Sequence, residues 1–191
     1  MNKKECRQQA RSRLASLSDA DVRGRGESFA LALGQRPEYR QAGTVFCYLS
    51  VGREPDTFAF LRMALQDEKR VCAPVCIGKG VMRARQLSNL DKLEEGQYGI
   101  PVPPEGENWV EPEEIDFAVI PCVACGEDGT RLGHGAGFYD RFLQKGRFFR
   151  AALCHEELLF PHVPTEEHDE KMDLICTQSR VLTFGKGRDG E

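Results

Sequence analysis

Residues 115–121 read IDFAVIP, and residues 129–143 read GTRLGHGAGFYDRFL. The first run is apolar at nearly every position, which is typical of a strand covered on both faces in a parallel sheet. The second run has four glycines in the nine positions 129–137 and continues into residues that favour a helix. Together they predict a buried strand, a glycine-rich turn and a helix, in the order that α/β folds repeat.

The rest of the chain alternates in the same way between helix and strand patterns. Ser18 with Asp21 forms a capping-box pattern for a second helix that ends at Gly34, and Thr57 is in position to cap a third. The predicted helices span 3–17, 18–34, 58–70 and 139–145, and the predicted strands span 43–51, 70–77, 81–87, 115–121, 150–155, 173–177 and 181–184. Residues 96–114 contain too much proline, glycine and acid for regular structure, so we predict a long surface loop there.

This alternation predicts an α/β fold: a three-layer sandwich with a mostly parallel central sheet, Rossmann-like and built as a single domain over residues 1–184. The length agrees, because 191 residues with 40% hydrophobic content can bury one sizeable core. We expect the tail at 185–191, GKGRDGE, to be disordered.

Charge and hydropathy narrow the class of partner. The net charge of −4 argues against nucleic acid, and the apolar runs fall far short of the roughly 20 residues that a membrane helix needs. We therefore expect a cytoplasmic monomer that binds neither nucleic acid nor membrane. Five of the first thirteen residues are basic, which suits either a local anion site or an ordinary solvated helix face: Lys3, Lys4, Arg7, Arg11 and Arg13.

The chain has eight cysteines. The pairs Cys72-Ala-Pro-Val-Cys76 and Cys122-Val-Ala-Cys125 suggest a four-thiolate zinc site. Neither pair contains the glycine turn that a zinc knuckle needs, and Cys72 lies in an apolar strand pattern. We therefore favour thiols that are buried as small hydrophobic groups.

A glycine-rich turn between a strand and a helix can direct backbone N–H groups at an anion, with help from the helix N-terminus. Glycine allows close approach and positive φ, and Arg131 adds a guanidinium suited to phosphate oxygens. The spacing of Gly133, Gly135 and Gly137 matches neither a P-loop nor the dinucleotide-binding fingerprint. A phosphate-bearing ligand is favoured, and a tight connection that binds nothing is the alternative.

The stretch GTRLGHGAGFYDRFL resembles the signature of the 5-formyltetrahydrofolate cyclo-ligase family, also called 5,10-methenyltetrahydrofolate synthetase. Other pieces resemble the family along the chain: KKECRQQARSRL, YLSVGREPDT, YGIPVP, DFAVIP and VPTEEHDEKMDLI. The resemblance implies that ATP and Mg²⁺ are used to convert 5-formyltetrahydrofolate, with or without a polyglutamate tail, into 5,10-methenyltetrahydrofolate. The implied route phosphorylates the formyl oxygen, and N10 then attacks the activated carbon with release of ADP and phosphate.

The resemblance also implies roles for individual residues. It makes Lys3, Arg7 and Arg131 the catalytic cations. The same three bind ATP together with the rest of the loop: Leu132, Gly133, His134, Gly135, Ala136, Gly137, Phe138 and Tyr139. The implied folate contacts are Leu49, Glu54, Tyr98 and Tyr139, and the implied Mg²⁺ ligands are Asp140 and Asp173. Taken alone, these residues also fit plainer roles as surface charge, helix start, turn or packing.

Two other functions remain open from the residues. One is a small-molecule kinase that uses the same phosphate loop, although no Walker or kinase motif is present. The other is a folate- or nucleotide-binding module without turnover, although such a module need not have kept its basic and acidic residues. The chain also departs from the family pattern: Phe138 stands for a commoner tyrosine, PCVACGEDG replaces a Pro-Gly segment with a Phe-Asp pair, and the turn at Val102 lacks a frequent acid.

Overall fold

The computed structural model describes residues 1–185, apart from the side chains of Arg23 and Tyr98. Its α-helices are α1 Lys3–Ser16, α2 Asp19–Arg23, α3 Gly26–Gly34, α4 Pro37–Gln41, α5 Phe58–Gln66 and α6 Phe138–Leu143. Its strands are β1 Thr44–Cys47, β2 Arg70–Gly78, β3 Val81–Gln86, β4 Glu94–Glu95, β5 Pro101–Val102, β6 Trp109–Val110, β7 Phe117–Ile120, β8 Ala124–Gly126, β9 Arg131–Leu132, β10 Phe149–Leu153, β11 Leu159–Phe160, β12 Leu174–Cys176 and β13 Val181–Thr183. The predicted disordered tail lies outside the described residues, except for its first residue.

The main sheet has the strand order β13-β12-β10-β7-β1-β2-β3-β6. Its middle strands, from β12 to β2, are parallel, and the outer strands pair antiparallel. The chain runs outward from β1 to β2 and later returns to the other side of β1 as β7. Such a reversal leaves a crevice outside the carboxyl ends of β1 and β7, which is where doubly wound sheets bind ligands.

Helices cover both faces of the sheet. On one face, Phe46 of β1 and Ala118 of β7 belong to a core with α1 and α6. On the other face, Val45 and Phe117 belong to a core with α3, α4 and α5. Successive strand residues point to opposite faces, so a strand buried on both sides has to be apolar throughout. The predicted α/β class with a mostly parallel central sheet is confirmed, and IDFAVIP supplies its central strand β7.

The segment 18–34 forms two helices rather than the one predicted. Ser18 and Asp21 make the expected capping box, but it starts the short helix α2. The chain then turns at Gly24 and restarts as α3 at Gly26. A Cβ on Gly26 would lie 2.8 Å from the Asp56 carboxylate, so this close approach explains the glycine.

Thr57 occupies the N-cap position of α5, as predicted, but its side chain makes no capping hydrogen bond. Its hydroxyl donates to the carbonyl of Tyr48 at 2.9 Å. Asp56 instead accepts the N–H of Phe58 at 2.9 Å. The strand predicted at 43–51 is correspondingly shorter, as β1.

The segment 96–114 is more regular than predicted. β5 pairs with β4, and β6 pairs with β3 at the edge of the main sheet. The guanidinium groups of Arg83 and Arg85 lie 4.5 and 4.4 Å from the ring centroid of Trp109 on β6. Such cation–π contacts stabilise an edge strand in a proline-rich segment. No helix within residues 1–185 combines the length and the apolarity required to cross a bilayer.

Candidate functional site

We predicted that the glycine-rich loop follows β7 directly, but the hairpin of β8 and β9 lies between them. Arg131 lies on β9, and only 2% of its side chain is exposed. One Nη donates to the carbonyl of Pro121 at 3.2 Å, and the other lies 2.5 Å from the carboxylate of Asp140. Arg131 therefore ties the end of β7 to the first turn of α6.

Two structural features explain the alternating glycines of the loop. Gly135 and Gly137 have φ of +101° and +67°, which confirms the expectation of positive φ in this turn. A Cβ on each glycine would also lie within 3.3 Å of a guanidinium, namely Gly133 near Arg131, Gly135 near Arg7 and Gly137 near Arg141. The loop is thus surrounded by cations, which makes its open face attractive to anions.

One side of the loop borders a cavity of 580 Å³, the basic pocket. Its lining combines the start of α1, the loop, Asp140 and residues 164–169. Arg7 donates from Nε to the carbonyl of Gly133 at 2.9 Å. Lys3, Lys4 and Arg7 all line this space, so the i, i+4 spacing of Lys3 and Arg7 does place them on one site.

Lys3 is held at the mouth of the basic pocket by two carboxylates. Its Nζ lies 2.6 Å from Asp169 and 2.9 Å from Glu166. Burial acts to lower the pKa of Lys3, but the hydrogen bonds to Asp169 and Glu166 outweigh it and raise the pKa. The same contact outweighs the effect of burial on Asp169 and lowers the pKa of that carboxyl. Both groups are therefore charged, and the pocket presents an acid beside its bases.

The other side of the loop borders a cavity of 410 Å³, the apolar pocket. Its walls come from the β2–β3 hairpin, the segment 97–102 and the start of α6, including Met82, Ile100 and Tyr139. Arg141 links two of these segments, since its Nε donates to the carbonyl of Gly80 at 2.9 Å and an Nη donates to that of Ala136 at 2.7 Å. The hairpin is thereby fixed to the glycine loop.

The loop between β1 and α5 meets the glycine loop at the crevice. The carboxylate of Glu54 accepts the N–H of Val51 at 3.0 Å, and it lies 3.5 Å from Nε2 of His134. Leu49, in contrast, is 2% exposed and belongs to the core under α3 and α5, so its side chain offers no surface to a ligand. The side chain of Tyr98 lies outside the part of the chain that the structure describes.

The two aspartates expected to bind metal are not brought together. Asp140 lines both pockets beside Arg131. Asp173 precedes β12, at the amino end of the parallel strands, and its carboxylate accepts the N–H of Arg150 at 2.8 Å. The carboxylates that line the basic pocket together with Asp140 are Glu166 and Asp169, and the sequence analysis gave neither of them a role in metal binding. The position of Asp169 in HDEKMD, four residues before Asp173, was its only signal.

A buried histidine supports the β1–α5 loop from behind. His155 is 1% exposed, with Nε2 lying 3.1 Å from the carbonyl of Arg53 and Nδ1 lying 3.1 Å from Nη1 of Arg25. Because Arg25 can only donate, Nδ1 accepts and Nε2 carries the proton. Burial lowers the pKa of His155. Arg25 is itself held by Glu157 through two bonds of 2.9 Å.

These features define a doubly wound α/β protein with a cation-surrounded loop and paired cavities at its switch point. The model of the 5-formyltetrahydrofolate cyclo-ligase family matches residues 1–178. The chain therefore belongs to the 5-formyltetrahydrofolate cyclo-ligase family, and the prediction of an enzyme of this family is confirmed.

Individual relatives agree with this assignment. The 5-formyltetrahydrofolate cyclo-ligase of Mycolicibacterium smegmatis is 32% identical over 148 residues, which cover 73% of this chain and 75% of that protein. The enzyme of the same name from Escherichia coli is 29% identical over 177 residues, covering 90% of this chain and 97% of the relative. The NMR structure of Aquifex aeolicus 5,10-methenyltetrahydrofolate synthetase superimposes with a TM-score of 0.86 at 28% identity, covering 100% of this chain and 97% of that chain.

The contact between Arg25 and Glu157, which supports the β1–α5 loop through His155, predicts how the stability of the protein changes at acid pH. The Arg25 guanidinium lowers the pKa of Glu157 from 4.5 to about 2. A carboxyl with a depressed folded-state pKa stabilises the protein fully above its unfolded value and loses that contribution as the pH falls through the folded value. Replacing Glu157→Gln is therefore expected to reduce the free energy of unfolding at about pH 5, with a gap to wild type that narrows towards about pH 3.

Urea denaturation across this pH range measures the gap. The control is Glu113→Gln, which changes an exposed carboxyl and should alter the free energy of unfolding by less than about 0.5 kcal/mol. A Glu157→Gln gap that stays constant with pH would show that the Arg25 contact does not act through ionisation.

Proposed function

We propose that this protein uses ATP and Mg²⁺ to convert 5-formyltetrahydrofolate into 5,10-methenyltetrahydrofolate, with release of ADP and phosphate. Family membership supports the conversion of the folate. The geometric observation that carries the proposal is that the glycine loop forms a wall shared by two cavities of opposite character. Gly133, Gly135 and Gly137 line both the basic and the apolar pocket.

The basic pocket suits the triphosphate of ATP. Lys3, Lys4 and Arg7 line it together with the glycine loop, and phosphate oxygens form strong hydrogen bonds with such charged donors. Arg131 contributes from the shared wall, where it holds the loop in place. Lys3 would exchange part of its contact with Asp169 and Glu166 for phosphate.

The apolar pocket suits the flat rings of the folate. Aromatic ligands gain from offset or edge contacts with an aromatic side chain, and Tyr139 provides one beside Met82 and Ile100. Glu54 lies near the exposed His134 at the rim and can accept hydrogen bonds from pterin N–H groups. We keep Glu54 and Tyr139 as substrate contacts, whereas the Leu49 side chain is buried in the core.

In this proposal the γ-phosphoryl group and the formyl oxygen meet at the wall that the two pockets share. Transfer of the phosphoryl group to that oxygen forms an O–P bond and releases ADP, which turns a poor leaving group into phosphate. N10 then attacks the formyl carbon and gives up its proton to solvent, the C–O bond breaks, and phosphate departs as the ring closes. The residues of the chain act by positioning both substrates and by neutralising the developing charge, with Arg7 and Lys3 nearest to the phosphates.

Asp140 and Asp169 fit Mg²⁺ better than the pair Asp140 and Asp173. Carboxylate oxygens are the ligands that Mg²⁺ takes from proteins, usually one or two together with phosphates and water. Asp140 and Asp169 line the same pocket as the basic residues of α1. When bound there, Mg²⁺ would neutralise phosphate charge during transfer.

A single assay tests the function. Protein is mixed with Mg²⁺, ATP and 5-formyltetrahydrofolate, and the methenyl chromophore and ADP are followed together. We expect both products to form in equal amounts. ADP without the chromophore would favour a small-molecule kinase, and binding of the ligands without either product would favour a module without turnover.

The role of α1 in ATP binding is tested by Arg7→Ala. We expect the KM for ATP to rise about 10- to 100-fold, since a charge-assisted hydrogen bond contributes about 1.5–3 kcal/mol. The matched control is Arg62→Ala, which removes an exposed arginine from helix α5 on the other face of the sheet. Equal kinetics for the two variants would exclude Arg7 from the phosphate site.

The metal assignment is tested by comparing two aspartates four residues apart. We expect Asp169→Asn to raise the Mg²⁺ concentration for half-maximal rate by about tenfold, which corresponds to about 1.4 kcal/mol. Asp173→Asn should leave that concentration unchanged within about twofold and lower stability instead, because its carboxylate accepts a backbone N–H. The opposite ranking would restore Asp173 as the ligand.

A further inference from the structure

Three cysteines meet beside the crevice, although they come from different elements. Cys122 follows β7, Cys125 lies on β8, and Cys154 follows β10. Their Sγ atoms all lie within 4.8 Å of one another, and all three residues are buried. The sequence analysis considered a four-thiolate site of Cys72, Cys76, Cys122 and Cys125 and did not favour it. The third thiol of the present group is Cys154, 29 residues after Cys125.

The three sulfur atoms lie close enough together to bind one cation. Thiolates bound to one Zn²⁺ at about 2.3 Å lie roughly 4 Å apart, so these sulfurs need to converge by less than about 1 Å. Sulfur ligands select thiophilic ions such as Zn²⁺, Cd²⁺ and Cu⁺ over hard ions such as Mg²⁺. Among the residues that the structure describes, the other cysteines form no such group of three.

The guanidinium of Arg131 lies near the cluster, since it donates to the carbonyl of Pro121 at 3.2 Å. Three thiolates with a divalent ion carry a net charge of −1, which the nearby guanidinium offsets. Each thiol releases its proton to solvent as its sulfur–metal bond forms.

The cluster also has an entrance. Cys122 is 7% exposed and lines a cavity of 240 Å³ together with Glu54 and His134. An ion can therefore reach the sulfurs from the crevice without unfolding of the core. That side also leaves room for water as a further ligand, as in three-ligand metal sites.

We propose that Cys122, Cys125 and Cys154 form a three-thiolate site for one thiophilic cation, separate from the Mg²⁺-ATP pocket. The site joins the carboxyl ends of β7 and β10 to the hairpin of β8 and β9. Pro121, which accepts the hydrogen bond of Arg131, is the residue directly before Cys122. A bound ion would hold this segment in the conformation on which the glycine loop rests.

The test uses the full-length protein, reduced with a phosphine and kept free of oxygen, and titrated with Cd²⁺. We expect one Cd²⁺ per chain by native mass spectrometry and a thiolate-to-Cd²⁺ charge-transfer absorption that saturates at one equivalent. Cys125→Ser should weaken binding by at least about 100-fold, because loss of an outer contact alone costs 10- to 100-fold. The control is Cys72→Ala, which removes a buried thiol of β2 and should bind as wild type does.

Measurements on the wild-type protein are sufficient to contradict the proposal, even if none of the variants folds. Binding without the charge-transfer absorption would place Cd²⁺ on the cluster of Glu166, His168 and Asp169 instead. Absence of binding, with formation of a disulfide within the trio on oxidation, would make it a redox group rather than a metal site. Should Cys125→Ser fail to fold, Cys154→Ala serves in its place, and wild-type absorption in that variant would equally contradict the assignment.

Discussion

The buried guanidinium of Arg131 determines the shape of the site. It bonds the carbonyl of Pro121 at the end of β7 and the carboxylate of Asp140 in the first turn of α6, across an excursion of nearly twenty residues. A buried charge is costly to desolvate, and removing one partner of such a pair typically destabilises a protein by about 3–5 kcal/mol. Its Nε is buried and finds no hydrogen-bond partner among the described residues, which adds to that cost. A charge kept under these conditions organises the loop more than it reaches out to a ligand.

Because Arg131 fixes the loop, one stretch of backbone forms a wall of two cavities. Gly133, Gly135 and Gly137 carry no side chain, and each of them borders both the basic and the apolar pocket. Arg7 contacts it from α1 and Arg141 ties it to the β2–β3 hairpin, so elements far apart in the chain share one wall. The sheet places this wall at the reversal between β1 and β7, where the loops that follow neighbouring strands diverge and leave space for a ligand.

Charge is distributed unevenly around that wall. Lys3 is paired with two carboxylates before any ligand binds, and Asp140 is paired with Arg131. Such pairs hold both partners in place, which reduces the reorganisation needed when a ligand enters. The apolar pocket on the other side has few polar groups. It therefore favours an apolar ligand, whereas the basic pocket favours an anion.

The sequence alone determined the α/β class, the central strand β7, the β2–β3 hairpin and the family, because continuous apolar runs and a long ordered set of motifs are local signals. It did not give β8, β9 or β11, since strands of two or three residues show no periodicity. It also could not show that Asp169 rather than Asp173 lines a pocket with Asp140, or that Cys154 lies beside Cys122 and Cys125. These contacts depend on which strands are neighbours in the sheet. Which distant segments become neighbours is decided only when tertiary packing buries both faces of the sheet.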